Sequence, residues 1–284
     1  MQHKVPPDRA GTGTPPATPA VVAVSDLTRH FGNFVAVDRV SFSVQRGEAF
    51  GLIGANGAGK STIIRMLTTL LPVTSGSGSV AGYDITREPE QVRRHIGYVP
   101  QLLSADGALT AWENLLLSAR LYDIPHRQVR PRIEQALASM ELTPFAHLLV
   151  QGFSGGMIRR LEIAQSMLHR PAILFMDEPT VGLDPVARRA VLDHVGDLRR
   201  SFGTTVLVTS HYMEEIDVLC DRLGVLSRGR LVAIGTPAEL KAKVGPNATL
   251  DDVFAALAGA GAADAATETY RDVRLARRAA GTHA

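Results

Sequence analysis

Apolar and polar positions divide this chain into short strands and helices. Val40-Ser41-Phe42-Ser43-Val44 repeats with period 2, Gln45-Arg46-Gly47-Glu48 interrupts it as a turn, and Ala49–Ile53 follows as a short apolar strand. From Lys60 to Leu71 the period changes. Ile63, Leu67 and Leu70 share a helical face, and Pro72 closes the segment. Gly76-Ser77-Gly78 starts a β segment that is expected to end near Val99-Pro100-Gln101. Between Thr110 and about Ala146 the spacing is helical, with Leu115, Leu116 and Ala119, then Ile133, Leu137 and Met140, which predicts a helical insertion. A helix opened by Ser154-Gly155-Gly156 comes next. Met157, Leu161, Ala164 and Leu168 lie on one face of it, Arg159, Arg160 and Glu162 lie elsewhere, and Pro171 ends it. Strand Ala172–Met176, helix Pro185–Ser201 and strand Thr205–Thr209 follow. A helix at Met213–Cys220 then leads to a hairpin of Arg222–Leu226 and Arg230–Ile234, turned by Ser227-Arg228-Gly229. Strands alternating with helices predict an α/β fold with a mostly parallel core sheet covered on both faces.

Composition narrows the classes. With 284 residues and 45% hydrophobic content the chain can bury a full core. A formal net charge of +2 gives no case for nucleic acid as a partner. The single cysteine, Cys220, excludes an internal disulfide. No apolar run approaches the roughly 20 residues of a membrane helix, and the N-terminal stretch lacks an apolar core of the secretory kind. Work at a membrane would therefore be done from the cytoplasmic side through another polypeptide. Residues 1–20, rich in Pro, Gly and Thr, read as a disordered tail. Residues 259–284, Ala/Gly-rich and then basic through Arg271, Arg274, Arg277 and Arg278, read as a flexible one.

The chemistry starts at Gly54-Ala55-Asn56-Gly57-Ala58-Gly59-Lys60-Ser61-Thr62, which fits G-x-x-x-x-G-K-[ST] between an expected strand and an expected helix. Its glycines let backbone N–H groups wrap phosphates, Lys60 reaches the β- and γ-phosphates, and the Ser61 hydroxyl ligates Mg²⁺. Strand Ile173–Met176 runs into Asp177 and Glu178. Asp177 can complete the Mg²⁺ shell, and Glu178 can orient or deprotonate an attacking water. The Ser154 helix start is a second anion site, since unpartnered N–H groups and the macrodipole place positive charge there. Three further residues have ordinary alternatives. His211, after the strand Thr205–Thr209, is either a γ-phosphate contact or structural. Gln101 is either a hinge amide that joins the metal shell or a turn residue. Phe31 either stacks on a base or packs in the core.

In order, Phe31, Gly54–Thr62, Gln101, Ser154–Met157, Asp177–Glu178, Asp184 and His211 resemble the ATP-binding subunits of ABC transporters. The resemblance covers residues 21 to about 240 and implies a P-loop ATPase fold with an antiparallel β subdomain and a helical subdomain at about 102–165. A C-terminal helical extension at 241–258 would follow. It also implies ATP and Mg²⁺ as cofactors, with Phe31 on adenine and Gly54 to Thr62 on the phosphates. Ser61, Gln101 and Asp177 would hold the metal, and Glu178, His211, Lys60 and Gln101 would carry catalysis. Ser154, Gly155 and Gly156 would form the signature that covers ATP on a second copy, with Asp184 at the dimer seam. The partners implied are that second copy and an integral-membrane permease, at the cytoplasmic face of the cell membrane. Phe153-Ser154-Gly155-Gly156-Met157, the segment Asp177–Pro185, His211–Glu215 and Thr249–Phe254 are similar to daunorubicin-resistance-type exporters of drugs, antibiotics or lipid-like compounds. The alternative is a non-transport ABC-type switch. The stretch from Ser61 to Ser154 is too short for the coiled-coil arm that such chains often carry.

Overall fold

The computed structural model describes residues 20–259, so the two expected tails lie outside the described residues except at their inner ends. Two sheets form the frame. The first is antiparallel, in the order β2-β1-β4-β5, from β1 (Ala20–Phe31), β2 (Phe34–Gln45), β4 (Ser75–Val80) and β5 (Tyr83–Asp84). The second has six strands, in the order β10-β9-β3-β8-β7-β6. They are β3 (Ala49–Ile53), β6 (Ile96–Val99), β7 (Ile173–Asp177), β8 (Thr205–Ser210), β9 (Arg222–Ser227) and β10 (Arg230–Gly235). All its pairings are parallel except the β9–β10 hairpin.

Strands β3, β7 and β8 are buried along their whole length, which is why they read as continuous apolar or hydroxyl-bearing runs and not as alternations. Their side chains divide between two cores by the period-2 rule. Phe50, Leu52, Phe175 and Leu207 join Val22, Leu27, Val40 and Ile63 under the antiparallel sheet. Ala49, Ile53, Leu174, Met176, Val206 and Val208 join Leu161, Val191 and Ile216 on the other face. The functional ends of the parallel strands therefore emerge between two packed layers.

The helices differ from expectation mainly at their ends. Helix α1 (Lys60–Leu67) stops short of Leu71: the Thr68 hydroxyl donates back to the Ile64 carbonyl at 2.9 Å, Thr69 turns left-handed at φ 62°, and Leu70 is exposed. Helix α2 (Pro89–His95) was not expected. It buries only Val92, and one apolar residue makes no period. Helices α3 (Ala111–Leu121) and α4 (His126–Ser139) occupy the segment of helical spacing, α3 opening on a Thr110–Glu113 capping box. Next come α5 (Gly155–Met167), α6 (Pro185–Phe202) and α7 (Met213–Leu219). The segment where a helical extension at 241–258 is expected holds two helices, the first of which starts earlier, at Pro237. Helix α8 (Pro237–Ala242) is capped by Thr236 and Glu239, and α9 (Leu250–Gly259) is anchored by buried Leu250 and Val253. Among the described residues, no helix is long and apolar enough to cross a membrane.

One histidine ties the helical insertion to the sheet. The His169 ring stacks on Tyr122 (centroids 3.7 Å apart, planes 2° apart), and its Nε2–H donates to the Ile96 carbonyl at 2.9 Å. Burial pushes its pKa down to about 4 from 6.5. The unfolded chain then binds more protons at this site between those values, so stability rises with pH across the window and is lost as pH falls from about 6.5 to 4. This loss is at most about 3 kcal/mol. His169→Phe, which keeps the stack, is expected to flatten the melting temperature over that range. An unchanged pH profile would assign the acid sensitivity elsewhere.

Candidate functional site

The loop after β3 depends on two backbone approaches that only glycine permits. A Cβ on Gly54 would lie 2.5 Å from the Leu226 carbonyl oxygen. One on Gly59, at φ 106°, would lie 2.6 Å from that of Ala36. Gly57 turns at φ 83° in open space beside exposed Ala55 and Asn56, while Ala58 packs inward. With Gly59 as N-cap, α1 has no side-chain cap, so its first N–H groups face the loop with Ser61 and Thr62 in the opening turn. Lys60 is 4% exposed. Its Nζ donates to the Gly54 and Ala55 carbonyls at 2.8 and 3.2 Å and lies 3.2 Å from Glu178 Oε1. The ammonium is thus folded back into the curl of the loop, and its buried charge is paired.

Asp177 ends β7 fully buried. Its Oδ1 accepts from the Ser61 and Thr209 hydroxyls, both at 2.8 Å, whereas its Oδ2 is buried without a partner. A buried, unpaired carboxylate oxygen is costly, and beside the Ser61 hydroxyl it suits a hard cation. Among the described residues no group of three or more His, Cys, Asp or Glu could hold a metal. A cation here would draw its remaining ligands from neutral side-chain oxygens, water and phosphate, as Mg²⁺ does.

Glu178 is held at φ 49°, a conformation that costs a non-glycine residue about 1–3 kcal/mol. Its N–H is fixed by the Thr209 hydroxyl at 2.9 Å. Its carboxylate is approached from three loops: Lys60 at Oε1, Gln101 Nε2 donating to Oε2 at 3.2 Å, and His211 Nδ1 3.4 Å from Oε2. The last is proximity without hydrogen-bond geometry. Lys60, Ser61, Gln101, Asp177, Glu178 and His211 therefore form one connected cluster.

Four other expected residues form a separate group. Ser154 caps α5, its hydroxyl accepting from Met157 N–H at 3.3 Å. Asp184 caps α6, accepting from the N–H groups of Val186 and Ala187, each at 2.9 Å. The two helix starts pack together: a Cβ on Gly155 would lie 3.2 Å from Leu183 Cδ2, and one on Gly156 2.7 Å from Ala187 Cβ. No hydrogen bond joins them to the Lys60–Glu178 cluster. Met157 and Ile158 are half-buried against the core. Phe31 is 45% exposed at the tip of the β1–β2 hairpin, with the Arg29 guanidinium 4.7 Å above its ring, so it is not a core aromatic.

Residues 37–181 match the model of the ABC transporter family. The chain belongs to that family. It is an ATP-hydrolysing, ATP-binding subunit. It is 41% identical over 225 residues to the linearmycin resistance ATP-binding protein LnrL of Bacillus subtilis, covering 79% of this chain and 72% of that one. It is 43% identical over 226 residues to the daunorubicin/doxorubicin resistance ATP-binding protein DrrA of Streptomyces peucetius (80% and 68% covered). A solved ATP-binding subunit of an ABC transporter superposes with TM-score 0.75 at 31% identity, covering 84% of this chain and 99% of that chain. A dimeric ATP-binding cassette in a post-hydrolysis state, bound to ADP and Pi, superposes with TM-score 0.68 at 25% identity, over 76% and 98%.

Three features of this ABC subunit were not legible from motif spacing. Thr209 orients both acids, a role that follows from its register opposite Asp177 in the β7–β8 ladder. Glu215 is buried, and burial raises its pKa. It accepts from the Thr180 and Ser210 hydroxyls at 2.8 and 3.1 Å and pairs with Arg188 at 3.3 Å, joining the turn before Asp184 to the loop of His211. Arg159, expected off the apolar face, is fully buried. Gly155 and Gly156 prove to be packing residues. Gly156→Ala is expected to cost about 1–3 kcal/mol through overpacking against Ala187. Ala187→Gly in the same chain should relieve much of it. Equal melting temperatures for wild type and Gly156→Ala would show that the helix starts part freely.

Proposed function

We propose that two copies of this chain close around two ATP molecules and so drive a separate integral-membrane permease, with the ATPase at the cytoplasmic face of the membrane. The observation that carries this reading is the division of the site: the Lys60–Glu178 cluster is internally connected, while the Ser154 and Asp184 helix starts stand apart from it. In this reading the phosphate loop, from Gly54 through Thr62, binds the phosphates of one ATP, and Phe31 stacks on its adenine. Ser154, Gly155 and Gly156 of the second copy cover the γ-phosphate, with Asp184 at the seam. Ser61, Asp177 and Gln101 would hold Mg²⁺, which would supply positive charge against the phosphates.

Glu178 takes the proton of the water that attacks the γ-phosphorus, and His211 hydrogen-bonds the departing phosphate and that water. The bond to the β–γ bridging oxygen breaks, leaving ADP and Pi. ATP binds only the closed dimer on both sides, so its loss on hydrolysis favours opening, and this difference in affinity is what a permease can use.

The names of LnrL and DrrA support an exporter of a drug, antibiotic or lipid-like compound. Co-purification with a membrane permease, followed by ATPase assays in the presence of candidate compounds, tests this part. Stimulation by such a compound is expected. A subunit that associates with no permease would contradict it.

A further inference from the structure

The start of α5 and the Glu178 cluster make no direct hydrogen bond, yet a buried ion pair on α5 links them. Arg159 is 1% exposed and Glu162 3%, and they pair at 2.8 Å. Burial pushes the Arg159 pKa down and the Glu162 pKa up, so both charged forms are disfavoured there. Stability is a weak explanation for such a pair, because well-packed apolar residues often replace one without loss. Its outward bonds explain it better. Arg159 Nη1 donates to the Pro100 carbonyl at 2.6 Å and Nη2 to the Gln101 carbonyl at 2.8 Å. Glu162 Oε1 accepts from the Ser104 backbone N–H and, at 3.1 Å, from the Ser104 hydroxyl. The backbone on both sides of Gln101 is thus gripped by α5, and the Gln101 amide in turn reaches Glu178 Oε2. The planar guanidinium fork spans two successive carbonyls, which a lysine ammonium does not reproduce.

We infer that Arg159 and Glu162 are positioning residues that set the Gln101 amide against Glu178. Arg159 lies only about 8 Å along the helix from Ser154. The same rigid helix therefore faces the second copy's ATP at one end and positions the base of its own site from its middle. This rests on the composite-site reading above, and it adds a direction: a shift of α5 when it covers the other ATP moves Gln101 in this one.

The test is a mutant cycle on the full chain, with kcat and KM for MgATP as readouts and melting temperature as the folding check. Arg159→Met with Glu162→Leu removes both charges while keeping apolar volume. It is expected to melt within a few degrees of wild type, keep KM within about twofold and lower kcat at least tenfold. Adding Gln101→Ala, which lowers kcat by itself, is expected to cause no further loss, because both changes act through one amide. Wild-type kcat in the Met/Leu chain, or losses that multiply with Gln101→Ala, would overturn the inference. Should that chain fail to fold, Arg159→Lys takes its place with the same two outcomes. Glu178→Gln assayed alongside keeps the claims apart. If it turns over normally, the base assignment fails. If it is inactive while the cycle multiplies, only the Arg159–Glu162 role fails.

Discussion

Glu178→Gln is expected to lower steady-state ATP hydrolysis at least a hundredfold while leaving ATP affinity within a few-fold of wild type. General-base assistance is worth roughly 10²–10⁴ in rate, and Glu178 is the carboxylate in this cluster with side-chain neighbours on both oxygens, Lys60 on one and Gln101 on the other. Glutamine is nearly isosteric, so Lys60 and Gln101 keep a polar neighbour while the proton acceptor is lost. Phosphate-release kinetics and calorimetry on the same preparation separate the two effects. Wild-type turnover in the variant would remove Glu178 as the base.

Lys60→Ala is expected to act on binding instead, with ATP affinity falling at least a hundredfold, about 2.7 kcal/mol. Charge-assisted hydrogen bonds contribute about 1.5–3 kcal/mol each, and the Lys60 ammonium sits where the loop curls over the start of α1. The substitution also leaves Glu178 Oε1 and the Gly54 carbonyl without their partner, so a lowered melting temperature is expected too. Calorimetric titration with ATP is the check, and wild-type affinity would contradict the phosphate assignment.

The phosphate loop could be read from sequence because its chemistry is local: nine consecutive residues, Gly54 to Thr62, hold both the turn geometry and the ligating groups. The strands β3, β7 and β8 were legible because full burial leaves unbroken apolar runs, and the hairpin β9–β10 because its turn, Ser227-Arg228-Gly229, is local. What escaped depends on contacts distant in the chain. Thr209 is an ordinary strand threonine until β8 is placed beside Asp177. Arg159 and Glu162 look like a solvated helix face until the Pro100–Ser104 backbone lies across them. Helix α2 buries a single valine, and the chain after Thr236 folds as two short helices, α8 and α9, whose start at Pro237 no periodic pattern marked. Gly156 reads from sequence as a phosphate contact alone, whereas the structure shows the close approach of Ala187 to it.

The most direct test of the composite site is the mass of the Glu178→Gln chain in solution, with and without MgATP, by light scattering. The single chain is 30.4 kDa. About twice that mass is expected with MgATP, and the single-chain mass without it. Ser154→Asp supplies the second arm. Aspartate caps a helix as well as serine does, so α5 should stay folded, but its charge would face the γ-phosphate of the other copy's ATP. Added to Glu178→Gln, it is expected to leave ATP binding to the single chain intact and to abolish the doubled mass. A single-chain mass for Glu178→Gln saturated with MgATP, or a dimer indifferent to Ser154→Asp, would contradict a site shared between two copies.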